Sequence, residues 1–176
     1  VEFESFGKIA RLSRQVVITE KIDGTNAQVC VGEDGTISAG SRTRWITPED
    51  DNFGFAAWVK EHEGELRALG PGRHFGEWWG RGIQRGYGLT ERRFSLFNVS
   101  RWTAETPPPA CCSVVPVLWE GLFDTGVVDR VLADLKDTGS YAAYSAKAEG
   151  IMIYHTAARI YFKKTLDKDA EPKSKV

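Results

Sequence analysis

The chain is predicted to fold as an α+β domain. Many short runs rich in β-branched and aromatic residues recur along it, only two stretches carry a helical pattern, and Gly, Pro, Asn and Asp separate them. Residues 16–20 and 27–31 read as strands, the second with Ala27, Val29 and Val31 alternating against polar neighbours. "EDGT" then supplies a hairpin turn before a third strand over 37–41. Thr47, Pro48 and Asp50 resemble a helix start, with a hydroxyl cap, a proline in the first turn and an acidic third position. This helix is expected to run to about Leu69, where Gly70 and Pro71 stop it, with Phe53, Phe55 and Trp58 as core contacts. Further strands are expected over 73–79, 93–100, 114–119, 150–155 and 159–164. A second helix is expected over 126–137, its Val127, Val131, Leu132 and Leu135 on one face.

At 176 residues the chain suits one domain, expected over 1–166. "TPPPA" is a stiff loop within it, and residues 167–176, charged and without an apolar face, are expected to form a frayed tail. Hydrophobic residues at 41% and charged ones at 27% exclude a disordered chain, and the apolar runs are too short to span a bilayer. The opening "VEFESFGK" lacks the basic and apolar segments of a secretory leader, so the expected location is the cytoplasm. Three cysteines, two of them adjacent at Cys111 and Cys112, make no disulfide framework and are read as reduced. With three scattered histidines, His62, His74 and His155, they do not supply a structural zinc site. The histidines are read as structural or solvated, and no Ser/His/Asp or Cys/His arrangement stands out.

The 23 basic and 24 acidic residues nearly cancel, but they are segregated. Acidic residues gather in "TPEDDNF" and "KEHEGEL", basic ones in "SRTRW", "GRGIQRGY", "ERRF" and "RIYFKK", which permits a basic face on a neutral molecule. "GRGIQRGYG", residues 80–88, lacks the Gly-Lys-Ser/Thr ending of a P-loop.

"VVITEKIDGTNAQV" leads one lysine, Lys21, to an Asp-Gly corner. An ordinary hairpin there would leave a Lys21–Asp23 surface pair, worth about 0 to 1 kcal/mol. A nucleophilic lysine, with an unperturbed pKa of about 10.4, instead needs surroundings that favour its neutral form. Burial, a divalent metal or other lysines do so, and Lys163 and Lys164 are the candidates among lysines.

"KIDGTN", residues 21–26, resembles the first motif of the covalent nucleotidyltransferases, the polynucleotide ligases and messenger-RNA capping enzymes. Others follow in order. "GSRTRW" offers Arg42 for ribose and phosphate, "FGEWWG" offers Glu77 for the ribose hydroxyls, and "FSLFNV" offers Phe97 for stacking on the purine. "AEGIMIY" offers Glu149 for the divalent metal, and "RIYFKK" falls where the last motif, with its phosphate-binding lysines, belongs. The resemblance implies an antiparallel nucleotidyltransferase domain with Lys21 and Lys163 in catalysis. It implies nucleotide contacts from Glu20, Lys21, Ile22, Asn26, Arg42, Glu77, Phe97, Glu149, Lys163 and Lys164. The last motif departs from the family's pair of lysines separated by one residue. Lys163 and Lys164 are adjacent and point to opposite faces of a strand, so Lys163 is favoured, with Tyr161 in the other slot and Lys164 as the alternative.

Asn26 at the end of the first motif resembles RNA ligases, where DNA ligases and capping enzymes have arginine. Only twelve residues follow Lys164, too few for a C-terminal oligonucleotide-binding barrel. The start at Val1, with Met152 the single methionine, also fits a trimmed chain. The resemblance therefore implies an ATP-dependent RNA ligase. Lys21 takes AMP from ATP, the AMP passes to an RNA 5'-phosphate, and a 3'-hydroxyl displaces it. Mg²⁺ serves as the metal, with Mn²⁺ as the alternative, and Arg11, Arg14, Arg81, Arg85, Arg92 and Arg93 are candidates for RNA phosphates. Neither a membrane nor a particular protein partner is implied. The rival readings are a DNA-sealing ligase without the barrel and a nucleotide- or RNA-binding module without turnover.

Overall fold

The computed structural model describes residues 1–144 and 146–167. Among the described residues, alternating β-branched residues form ten strands that divide into two sheets. The four-stranded sheet contains β1 (Gln15–Lys21), β8 (Val117–Leu122), β9 (Gly150–His155) and β10 (Ile160–Thr165), in the order β10-β9-β1-β8 and antiparallel throughout. The six-stranded sheet contains β2 (Thr25–Val31), β3 (Ile37–Ser41), β4 (Trp45–Ile46), β5 (Gly72–Gly80), β6 (Arg92–Leu96) and β7 (Cys112–Val114), in the order β4-β3-β2-β5-β6-β7. Only its β6–β7 pair is parallel.

The helices cover the outer faces. α1 (Phe55–Glu61) and α2 (Glu63–Leu66) pack on the six-stranded sheet, burying Phe55, Val59 and Leu66 against Val29, Trp78, Phe94 and Leu96. α3 (Thr125–Thr138) covers the other sheet. Its Val127, Val128, Val131 and Leu135 meet Val16, Ile18, Ile151 and Ile153, as the apolar spacing of this helix requires. Asp124 caps it by accepting the Val127 N–H at 3.1 Å. A third cluster, Ile22, Trp79, Tyr87, Val115 and Ala143, lies apart from both helical layers. Trp78 and Trp79 are consecutive on β5, so they take opposite faces: Trp78 packs under α1 and Trp79 joins this third cluster.

Several elements differ from the sequence reading. The first helix begins at Phe55 rather than near Thr47, because Thr47 and Asp50 form an isolated bridge. The free N–H groups of the first turn are met by Asp51, whose carboxylate accepts from Ala56 and Ala57 at 2.8 and 3.0 Å. Phe53 is 46% exposed instead of buried; its carbonyl accepts from the Trp78 indole and from Arg92. The strand expected over 114–119 is two strands, interrupted at Val115 and Pro116. Proline has no N–H for a ladder, and its carbonyl accepts from Glu20 at 2.9 Å as the chain changes sheets. The strand expected over 93–100 stops at Leu96. The frayed tail expected beyond residue 166 lies, apart from Asp167, outside the described residues. The remaining strands and α3 stand within two residues of their expected bounds.

The histidines bond main-chain carbonyls: His62 to Trp58, His74 to Gly70 and His155 to Leu12. All three cysteines are free thiols. Among the described residues no helix is long and apolar enough to cross a membrane.

Candidate active site

β1 and β2 do not pair as a hairpin. They belong to different sheets, and Ile22–Asp23–Gly24 carry the chain across. Lys21 is therefore the last residue of β1, at the point where the chain leaves one sheet for the other. Glycine is required in this link: a Cβ on Gly24 would stand 2.5 Å from the Trp78 carbonyl oxygen and 2.7 Å from the Trp79 Cβ. Ile22, 4% exposed, anchors the turn in the third cluster.

The Lys21 Nζ donates to Oε2 of Glu149, with the side chains 18% and 12% exposed. The register explains this meeting. Lys21 opposes Gly150 across the β1–β9 ladder, so the residue before β9 emerges beside the end of β1. Gly150 permits the approach of β10, since a Cβ there would lie 2.2 Å from the Lys164 carbonyl oxygen. Asp23, the partner that a hairpin would have supplied, is engaged instead by Arg85 at 2.9 Å.

Glu77 approaches from the six-stranded sheet. It opposes Asn26 on β2, accepts the Asn26 amide at 3.0 Å and the Gly24 N–H at 3.1 Å, and is 8% exposed. Burial pushes its carboxyl up to about 7. The nearby charge of Lys21 and the two N–H donors oppose this rise, and the negative charge of Glu149 adds to it. Lys21, Glu149 and Glu77 thus form one electrostatic group carried by three distant segments. Phe97 is partly buried and packs against the third cluster, which also holds Ile22.

The other expected residues fall into three situations. Lys163 opposes Met152, which opposes Thr19, so it shares with Lys21 one face of the four-stranded sheet, as does Tyr161. Lys164 takes the other face and bonds Asp129 of α3 at 2.7 Å, so the structure does not bring it to Lys21. The Glu20 carboxylate likewise turns away from Lys21. It is 1% exposed, accepts from the Ser140 hydroxyl and from the N–H groups of Tyr141 and Ala142, and is raised by burial despite them. Arg42 is exposed just beyond Ser41, which pairs with Ala27, and so stands at the Asn26 end of its sheet.

Two residues at the site escaped the sequence reading. The Tyr87 hydroxyl accepts the Asp23 N–H at 2.7 Å, and Arg85, taken as an RNA contact, is directed inward at Asp23 and at the carbonyls of Lys147 and Ala148. Both lie in the glycine-rich segment 80–88, whose unusual backbone is the one signal pointing to them. Arg92 is also committed internally, to the carbonyls of Arg81 and Phe53.

Among the described residues no group of three or more His, Cys, Asp and Glu side chains forms a ready metal site. Glu149 could still supply one carboxylate to Mg²⁺ or Mn²⁺. Such ions are held by one or two carboxylates, with phosphate oxygens and water filling the shell.

Two mainly antiparallel sheets with flanking helices, and a lysine at the crossing between them, define a nucleotidyltransferase-type domain. The RNA ligase family profile matches residues 14–169, and the chain belongs to that family. No curated protein matches it significantly. Among solved structures it is similar to Naegleria gruberi RNA ligase. A Glu-to-Ala mutant with ATP and Mn superposes with a TM-score of 0.63 at 19% identity, covering 89% of this chain and 51% of that one. A Lys-to-Met mutant with AMP and Mn gives 0.62 at 19% identity, covering 88% and 50%. At this identity the likeness is one of fold, and the chain spans about half the length of those proteins.

Proposed function

We propose that this chain is the nucleotidyltransferase domain of an ATP-dependent RNA ligase that works through a lysyl-AMP intermediate on Lys21. The observation that carries this reading is the contact of the half-buried Lys21 amine with Glu149, beside Glu77, at the crossing between the sheets. In the first step Nζ attacks the α-phosphorus of ATP, the P–N bond forms and the P–O bond to pyrophosphate breaks. The amine must first lose a proton, and Glu149 is positioned to receive it or pass it to water. The AMP then moves to an RNA 5'-phosphate, and an RNA 3'-hydroxyl displaces it to seal the strand.

All three steps are displacements at phosphorus, in which a protein acts by positioning and by neutralising charge. Glu77 accepts hydrogen bonds from the ribose hydroxyls, Phe97 stacks on the adenine, and Ile22 and Asn26 shape the wall between them. Lys163 and Arg42 meet the phosphates. Glu149, with Glu77 nearby, would hold Mg²⁺ or Mn²⁺, which would supply charge withdrawal from the phosphate. To test this reading, the protein is incubated with α-labelled ATP or GTP and Mg²⁺, then run on a denaturing gel. Label from ATP that survives denaturation, followed by sealing of nicked RNA in preference to nicked DNA, is the expected result. No covalent label from either triphosphate rejects the reading. Label without any sealing reduces it to a module that adenylates but does not join strands.

A further inference from the structure

We infer that Arg85 is a positioning residue that locks the Lys21 turn onto the segment carrying Glu149. This rests on the roles proposed above for Lys21 and Glu149. Asp23 is two residues beyond Lys21, and Ala148 immediately precedes Glu149. One guanidinium reaches both sides. Its Nε donates to Asp23 Oδ2 at 2.9 Å, and its Nη1 donates to the carbonyls of Lys147 and Ala148 at 3.1 and 2.9 Å. The Lys21–Glu149 contact is thus bracketed by a second link between the same two segments.

The loop is built to present this group. Gln84, Gly86 and Tyr87 have φ of 47°, 62° and 53°. Left-handed backbone is unfavourable for Gln84 and Tyr87 and persists only where surrounding contacts hold it. Those contacts are the Tyr87 hydroxyl on the Asp23 N–H at 2.7 Å and the edge of Tyr87 against Trp79, with ring centroids 5.3 Å apart. Arg85 itself lies 5.9 Å from the centre of the Tyr87 ring.

Arg85 has a second consequence through charge. Asp23 is a competing carboxylate close in sequence to Lys21. By occupying Asp23, Arg85 leaves Lys21 to Glu149. A guanidinium can do this and hold two carbonyls at once because its donors are fixed in a fork; the single ammonium of a lysine lacks that geometry. Its inward bonds also separate it from the arginines that remain candidates for RNA phosphates.

The experiment follows the rate of lysine labelling from α-labelled ATP, in a single turnover, over a range of ATP concentrations. Arg85→Met, Arg85→Ala, Arg85→Lys, Asp23→Asn and Arg85→Met with Asp23→Asn are compared with the parent chain. The expected result for Arg85→Met is a maximal rate lower by about 10- to 100-fold with half-saturating ATP changed less than about threefold, since misplacement of reacting groups lowers the chemical step. Arg85→Lys should recover part of the rate, the double variant should be no slower than Arg85→Met, and guanidinium ion should accelerate Arg85→Ala. An unchanged maximal rate in Arg85→Met overturns the inference. So does a loss confined to ATP affinity, or one confined to RNA sealing, which would make Arg85 a phosphate contact. If Arg85→Met fails to fold, Arg85→Lys and the guanidinium rescue decide, and absence of recovery in both overturns the inference. A parent chain that takes no label rejects the functional reading itself, whereas a labelled parent with an unimpaired Arg85→Met rejects the positioning role alone.

Discussion

The amine of Lys21 is bonded to the carboxylate of Glu149 across 128 positions of sequence. This contact joins the end of β1 to the residue that enters β9, and the β1–β9 ladder sets the two side by side because Lys21 opposes Gly150.

Lys21→Arg should keep the ion pair with Glu149 but form no covalent nucleotide, because a guanidinium stays protonated. Lys21→Ala should also take no label, while leaving Glu149 without its partner. Labelling with α-labelled ATP and thermal melting of the two variants separate the effects: both lose the adenylate, and the alanine variant alone loses the stability of the pair. Label retained on either variant removes Lys21 from the nucleophile's role.

Glu77 gives a pH dependence with a defined sign. Its carboxyl is raised by burial from an ordinary value of 4.5 to about 7, so between these values the folded state binds more protons than the unfolded one. Stability should therefore fall as pH rises from about 4.5 to 7 and then level off; at about 1.4 kcal/mol per pKa unit the Glu77 contribution is about 3 kcal/mol. Glu77→Gln should remove this slope, matching the parent chain near pH 4.5 and exceeding its stability near pH 8. Glu20 is also raised by burial, so the informative quantity is the difference between variant and parent in denaturant titrations at several pH values. Equal slopes for the two proteins would show that the buried Glu77 carboxylate is not the source. The same substitution should weaken ATP labelling, an example of a site that retains a destabilising group for function.

How far the sequence foretells this molecule depends on the range of the interaction. Strand alternation is local, and β2 and β9 lie where their apolar patterns place them. The start of α1 was less accessible, because Thr47 and Asp51 both offer oxygen acceptors and only the turn around Phe53 and Gly54 decides which reaches the helix. The break at Pro116 reflects a change of sheet, which depends on pairing partners elsewhere. At the site, the lysine and its carboxylates were visible as motifs, but the inward turn of Glu20 is set by the loop after α3. Arg85 was grouped with its basic neighbours because charge composition carries no record of Asp23, 62 positions away.

The adjacent lysines of β10 should separate functionally. Lys163 shares the Lys21 face, whereas Lys164 is held by Asp129 on the α3 face. Lys163→Ala should slow adenylate formation by about 10- to 100-fold, in the range for loss of a group that stabilises developing charge. Lys164→Ala should leave that rate within about twofold and cost about 0 to 1 kcal/mol, as expected for an exposed ion pair. Single-turnover labelling and denaturant titration measure the two effects. A larger rate loss for Lys164→Ala than for Lys163→Ala would reverse the assignment.

Gly24→Ala tests whether the crossing between sheets sets the site. Its added methyl would meet the Trp78 carbonyl and the Trp79 side chain, at 2.5 and 2.7 Å, neither of which can swing aside like the end of a flexible chain. The turn must move instead, at a cost of about 1 to 3 kcal/mol for overpacking. Because the Gly24 N–H also donates to Glu77, the shift should loosen that carboxylate and displace Lys21 together. Adenylate formation should fall by at least about tenfold under conditions where circular dichroism shows the variant still folded. A folded Gly24→Ala chain that labels at the parent rate would mean that the amine and its carboxylates tolerate movement of the link between the sheets.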